Sequence, residues 1–206
     1  MKIAIIDSGI TPDHIHVGPV AGGISLVPGS DPQDIVDRLG HGTAVAGAIR
    51  ERAPDAELYA VKIFDRRLAS TIDAVLSAVA WCREQQMDIV NMSLGTSNQA
   101  HREAFVQALD MNGIVVSVAD SLPGSLPGVI AVAADAGCLR GEYRYLDGVF
   151  YTSPYPRPIP GIPLSANLQG VSFSVANMTG HIASIFRTSG RESLWTDLLA
   201  NSKGNG

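Results

Sequence analysis

Short β-branched runs alternate with helical segments along most of the chain, and this alternation is the feature that most restricts its fold. Ser70-Thr71 precedes apolar residues spaced three and four apart, which predicts a capped helix, and a second helix is predicted over residues 98–110. Strands that alternate with helices of this size indicate a mainly parallel, doubly wound α/β sheet with helices on both faces. The runs typical of strands are residues 3–7, 58–64, 88–93, 114–119 and 129–133.

The last third of the chain has a different pattern. Residues 141–161 are rich in Tyr, Pro and Gly, which predicts a surface loop or a short hairpin inside the domain. Residues 173–186 are almost uncharged and have helical spacing, so this helix is expected to be buried. At 206 residues the chain suits a single compact domain, which we place at residues 1–190 with a C-terminal tail at 191–206.

Composition excludes several classes of function. Hydrophobic residues make up 46% of the chain and charged residues 17%, which is typical of a folded globular domain. The net charge of −5, without clustered Lys or Arg, argues against nucleic-acid binding. No apolar run is long enough to span a membrane, and no signal-peptide cleavage site follows the first strand. Cys82 and Cys138 lack metal-ligand spacing and suit a reducing compartment, so we expect a cytoplasmic protein without metal or cofactor; the pattern leaves its oligomeric state open.

Three chemically distinct side chains fall at the ends of predicted elements. Asp7 ends the first strand, His41 opens a helix of small residues, and Ser172 opens the buried helix. In a doubly wound sheet such positions gather at the carboxyl ends of the strands. A serine becomes nucleophilic when a histidine takes its proton, and a carboxylate holds the imidazole in one tautomer. At a helix N-terminus, the serine's own N–H also faces a developing oxyanion.

The segments around these residues resemble the motifs of the subtilase family. The three residues occur in the order Asp, His, Ser, which is the order in subtilisin, and they are separated by 34 and 131 residues. Any one motif is weak by itself, but four in order are a specific signal over roughly residues 1–187. The four segments are Asp7-Ser8-Gly9-Ile10, His41-Gly42-Thr43-Ala44-Val45-Ala46-Gly47, Asn91-Met92-Ser93-Leu94-Gly95 and Gly170-Val171-Ser172-Phe173-Ser174.

This resemblance implies a subtilisin-like fold and a serine endopeptidase that acts on peptides or proteins. It implies that Asp7, His41 and Ser172 are the catalytic residues. It also implies that the substrate binds as an added strand alongside Ser93-Leu94-Gly95, with Ala119 near the pocket for the residue before the scissile bond.

The segment after the strand at 114–119 departs from the family pattern. Subtilases usually carry Ala-Ala-Gly-Asn there, whereas this segment of the chain has no asparagine, and we expect Asp120 to take its place beside the Ser172 N–H in the oxyanion hole. An ionised Asp120 would repel the oxyanion, and a protonated one would donate to it. Loss of this donor in subtilisin costs about 2.7–4 kcal/mol. We therefore expect a slow enzyme, or one favoured by mildly acidic pH.

Further departures from the subtilase pattern concern features that would limit the endopeptidase activity. Residues 48–54 run straight on from the His helix, so no calcium loop is expected there, and Ala176-Asn177 replaces the usual Pro-His pair. The chain starts on its first core strand, so we expect no propeptide. These features suit a slow or narrowly specific endopeptidase, for example one that trims the leader of a ribosomal peptide. The alternative is a catalytically impaired, peptide-binding pseudoprotease.

Other polar residues have simpler interpretations. Asp37 is interpreted as a loop carboxylate, His101 as part of an exposed helical face, and His181 as a core histidine. Ser174 competes with Ser172 for the role of nucleophile, but the motif spacing favours Ser172.

Overall fold

The computed structural model describes residues 1–163 and 166–203 and is built around one eight-stranded sheet. Its strand order is β2-β3-β1-β4-β5-β6-β8-β7, and every neighbouring pair is parallel except β7 with β8. The α/β class predicted from the alternating pattern is confirmed. The strands are β1 (Lys2–Asp7), β2 (Gly22–Ser25), β3 (Glu57–Lys62), β4 (Ile89–Met92), β5 (Ile114–Val118), β6 (Val129–Ala134), β7 (Tyr143–Leu146) and β8 (Val149–Thr152).

Four α-helices cover the two faces of the sheet. The first and last pack on one face and the middle two on the other, which gives two separate apolar cores. The predicted cap is present, because the Thr71 hydroxyl accepts a hydrogen bond from the Ala74 N–H at 3.3 Å. None of the helices in the described part of the chain is long and apolar enough to cross a membrane. The helices are α1 (His41–Arg50), α2 (Ile72–Glu84), α3 (Arg102–Ala108, after a 3-10 turn at Gln99–His101) and α4 (Val171–Ala200).

Two features of the sheet were not predicted: the strand β2, and the joining of the hairpin β7–β8 to the main sheet. β2 has only four residues and begins with two glycines, so it lacks the β-branched signal of the other strands. β7 and β8 form the short hairpin anticipated for residues 141–161, with Asp147 and Gly148 at positive φ in its turn. The hairpin also extends the main sheet, because β8 pairs with β6 in parallel.

The end of the chain packs against the domain. Gly190 has a φ of 71° and interrupts α4, after which the helix continues to Ala200. Leu194 and Leu198 beyond this break belong to the core on the α1 face. The Lys203 N–H then donates to the Tyr143 carbonyl at 2.8 Å. Residues 191–203 of the predicted tail are therefore packed, and residues 204–206 lie outside the described part.

Candidate active site

The carboxyl edge of the sheet brings Asp7 and His41 together. β1 ends at Asp7 and α1 begins at His41, and Asp7 Oδ1 lies 2.7 Å from His41 Nδ1. Gly42 permits this approach, because a Cβ there would lie 2.1 Å from the Gly9 carbonyl oxygen and 3.2 Å from Asp7 Cβ. Asp7 is fully buried, while the His41 side chain is 14% exposed. The imidazole is thus held by a buried carboxylate and remains accessible from outside.

The charges around His41 favour its protonated form. Burial acts most strongly and lowers the pKa of His41, but the hydrogen bond to Asp7 and the charges of Asp7 and Asp37 raise it above its ordinary value of 6.5. Asp7 Oδ2 is buried and has no hydrogen-bond partner among the described residues. No donor among the described residues therefore stabilises the negative charge at Oδ2, and the protonated imidazole of His41 is the cation that balances the Asp7 carboxylate.

Asp37 organises the loop that presents His41. Its carboxylate is 8% exposed and accepts five hydrogen bonds of 2.7–2.9 Å. This side chain is more than the ordinary loop carboxylate that the sequence suggested; its position four residues before a helix-opening histidine was the available signal. The donors are the Ser8 hydroxyl, the Leu39 and Gly40 N–H groups, and both the N–H and the hydroxyl of Thr43.

Replacing Asp37 with asparagine is expected to lower the free energy of unfolding by about 3 kcal/mol. The surrounding donors now share a charged carboxylate, whereas asparagine would place its NH2 group, itself a donor, against some of them. Asp31→Asn is the matched control, since Asp31 is an exposed carboxylate in the same loop with one N–H donor, Gln33. Chemical denaturation of the two variants measures the difference. Equal stabilities would show that the Asp37 network does not hold the loop.

Ser172 lies in the first turn of α4 and is anchored to the segment after β4. Its hydroxyl donates to the Ser93 carbonyl at 3.2 Å, and the Ser93 hydroxyl donates to the Ser172 carbonyl at 2.9 Å. Asn91 donates to the Ser93 hydroxyl, and Thr179 donates to Asn91, both at 2.9 Å. This buried chain of hydrogen bonds fixes α4 against β4. Within the described residues there is no hydrogen bond between Ser172 and His41, a common feature of sites without substrate.

His41 and Ser172 open into one cavity of about 460 Å³. Ser93-Leu94-Gly95, the predicted substrate-binding segment, forms one wall, and His101 from the 3-10 turn before α3 also lines it. His101 therefore faces this cavity as well as solvent. The apolar lining comes from segments whose role the sequence did not reveal, because they are distant from the motifs: Phe64, Leu68, Ile72, Val75 and Phe105.

The structure does not bring Asp120 or Ala119 into this cavity. After β5 the chain turns so that the Asp120 side chain is exposed, and the Ala119 N–H donates to Val132 in β6. Leu122 then pairs with Thr96 in an antiparallel bridge. The candidate oxyanion donor that remains is the Ser172 N–H, since the first N–H groups of a helix have no partner within the helix.

His181 behaves as the core histidine that the sequence predicted. Its Nε2 accepts a hydrogen bond from Arg52 Nε at 3.2 Å, and its ring packs on Tyr143 with centroids 4.9 Å apart. Burial, followed by the charge of Arg52, lowers the pKa of His181 to about 3. This imidazole stays neutral and is remote from the cavity. Among the described side chains, no three His, Cys, Asp or Glu are grouped so as to hold a metal ion.

The chain belongs to the subtilase family, whose sequence profile matches residues 1–137. It is 32% identical over 202 residues to Subtilisin E of Bacillus subtilis, covering 87% of this chain and 51% of that protein. It is 36% identical over 203 residues to a subtilisin of Bacillus pumilus, covering 87% of this chain and 71% of that protein. The chain thus spans about half the length of several curated relatives. The profile match includes Asp7 and His41 and stops before Ser172.

Proposed function

We propose that this protein is a serine endopeptidase in which Asp7, His41 and Ser172 act together on a peptide bond. The observation that carries the proposal is the 2.7 Å contact between Asp7 and His41 at the rim of the cavity that Ser172 also lines. Membership of the subtilase family supports the same activity. The cavity wall at Ser93-Leu94-Gly95 supports an extended peptide as substrate.

The steps follow from the positions of the groups. The Ser172 hydroxyl leaves the Ser93 carbonyl and attacks the substrate carbonyl carbon while His41 Nε2 takes its proton. The resulting oxyanion accepts from the Ser172 N–H at the positive end of α4. His41 then gives its proton to the leaving amine, and water hydrolyses the acyl-enzyme by the same route. Asp7 keeps Nδ1 protonated throughout and stabilises the imidazolium.

Turnover is expected to be slow or restricted to a narrow set of substrates. No asparagine, glutamine, lysine or arginine side chain of the described residues lines the cavity, so side-chain stabilisation of the oxyanion is weak. A dedicated processing role, such as removal of a leader from a ribosomal peptide, fits such an enzyme. We place it in the cytoplasm, which the buried free thiols of Cys82 and Cys138 support.

A covalent probe tests the proposal directly. Incubation with a fluorophosphonate, followed by intact-mass analysis and peptide mapping, is expected to show one adduct, on Ser172. No adduct at any pH from about 5 to about 9 would contradict an activated serine. Casein serves as a second substrate, because rapid, general digestion would contradict the narrow specificity.

The rate of this labelling is expected to rise with pH through a midpoint above 6.5, because protonated His41 cannot accept the serine proton and its pKa is raised by Asp7 and Asp37. Asp37→Asn should move the midpoint to lower pH, since it removes one of the two charges. A rate that is highest at mildly acidic pH would contradict this role of His41.

A second candidate is a pseudoprotease that binds peptides without cleaving them. It is favoured by the absence of an asparagine, glutamine, lysine or arginine side chain among the described cavity residues, which leaves the oxyanion without such a donor. Peptide binding without any probe adduct would support this alternative.

A further inference from the structure

One side of the Ser93–Thr96 segment is closed by the chain that follows β5. Thr96 and Leu122 exchange two backbone hydrogen bonds, both of 2.9 Å. A Cβ at Gly95 would lie 1.9 Å from Ser121 Oγ and 2.7 Å from Ser121 Cβ, so these residues are already in contact. The Ser117 hydroxyl also donates to the Leu94 carbonyl at 3.1 Å. There is therefore no space for a side chain between the two segments.

The loop that closes this side is itself held in place. The Leu122 side chain is fully buried in the core on the α2 face. Gly124 lies so close to β5 that a Cβ there would be 1.9 Å from the Val118 carbonyl oxygen. The Ser125 N–H donates to the Ser121 carbonyl at 3.0 Å. These contacts hold the Ser121 side chain in place beside Gly95.

The direction of proton transfer determines on which side of Ser172 the amine half and the acyl half of the substrate lie. His41 must reach the leaving amine to protonate it, so the amine half of the scissile bond lies on the His41 side of Ser172. The acyl half then lies on the other side, against Ser93-Leu94-Gly95, with which Ser172 exchanges hydrogen bonds. The side chain of the acyl residue therefore meets the closed contact between Gly95 and Ser121.

The open cavity lies along the other side of the same segment and has an apolar lining. Its volume of about 460 Å³ is bounded by Leu94 together with apolar residues of α2 and α3 and the loop before α2. An extended peptide advances about 3.3 Å per residue with side chains on alternate sides. A residue upstream of the acyl residue can therefore place a bulky apolar side chain in the cavity.

We infer that this enzyme cleaves after a small residue, namely glycine, alanine or serine. Ser121 is then a specificity-determining residue, because its side chain occupies the space beside Gly95. The inference rests on the proposed function and defines the substrate class of the same site.

Digestion of a diverse peptide mixture, with the cleaved bonds identified by mass spectrometry, tests this specificity. Peptides with alanine before the scissile bond are expected to have a kcat/KM about 100-fold above that of matched peptides with phenylalanine or lysine. Equal rates for alanine and phenylalanine would overturn the inference.

The Ser121→Gly variant tests the role assigned to that side chain. It should raise the kcat/KM of leucine peptides relative to alanine peptides by about 10-fold. Ser125→Gly is the matched control, since Ser125 is exposed in the same loop and should leave the ratio unchanged.

The outcomes distinguish a failure of the inferred specificity from a failure of the proposed peptidase activity. A fluorophosphonate adduct on Ser172 without a preference for small residues contradicts only the specificity. An adduct on Ser172 without cleavage of any peptide in the mixture also counts against the inferred specificity. Absence of both adduct and cleavage contradicts the peptidase activity itself, and the specificity with it.

Discussion

Ser172→Ala is expected to lower kcat/KM for peptide hydrolysis by about 10⁴-fold or more and to abolish fluorophosphonate labelling. The physical reason is that in the proposed mechanism the hydroxyl supplies the bond-forming oxygen, and among the described residues that line the cavity only Ser172 lies at the start of α4. The substitution removes one atom and one 3.2 Å hydrogen bond to Ser93, so the fold should be retained. Progress curves with a fluorogenic peptide measure the loss.

Ser174→Ala provides the matched control for this variant. Ser174 is two residues further along α4 and is fully buried, and its hydroxyl donates to the Thr152 carbonyl at 3.1 Å. Its loss should cost about 1 kcal/mol of stability and leave the labelling intact. If Ser174→Ala were the inactive variant and Ser172→Ala the active one, the assignment of the nucleophile would be wrong.

Asp7→Asn is expected to lower kcat by about 10⁴-fold. Asparagine fits the same space, but it can present an N–H to His41 Nδ1 and so favour the tautomer that cannot take the serine proton at Nε2. The loss of the carboxylate also removes the main attraction for the imidazolium. The labelling rate of the variant should be correspondingly low.

Two measurements distinguish this effect from general damage to the site. Thermal unfolding of Asp7→Asn should show a folded protein, because the substitution replaces a buried charge whose Oδ2 has no partner among the described residues. Asp37→Asn should lose stability but much less kcat, since Asp37 does not touch His41. Similar losses of kcat in both variants would mean that Asp7 acts only through the loop structure.

Local sequence signals determined most of the sheet. β1, β3, β4, β5 and β6 were predicted within a few residues because each is a β-branched run between turns or helices. The cap at Thr71 was also predictable, since the accepting hydroxyl and its Ala74 N–H donor are three residues apart. β2 and the continuation of α4 past Gly190 were not, because their stability comes from pairing and packing with distant segments.

The same division applies to the site. The types and order of Asp7, His41 and Ser172 can be read from the sequence. Their positions at the end of a strand or the start of a helix were predictable from the local pattern. Only the tertiary structure shows that Asp120 is exposed, that Asp37 joins five donors, and that Ser121 fills the space beside Gly95. These contacts link segments far apart in the chain, and their distances depend on how β5 and its loop pack on the rest of the sheet. The sequence by itself therefore determined the types and order of the proposed catalytic residues, whereas packing decided how much space surrounds them.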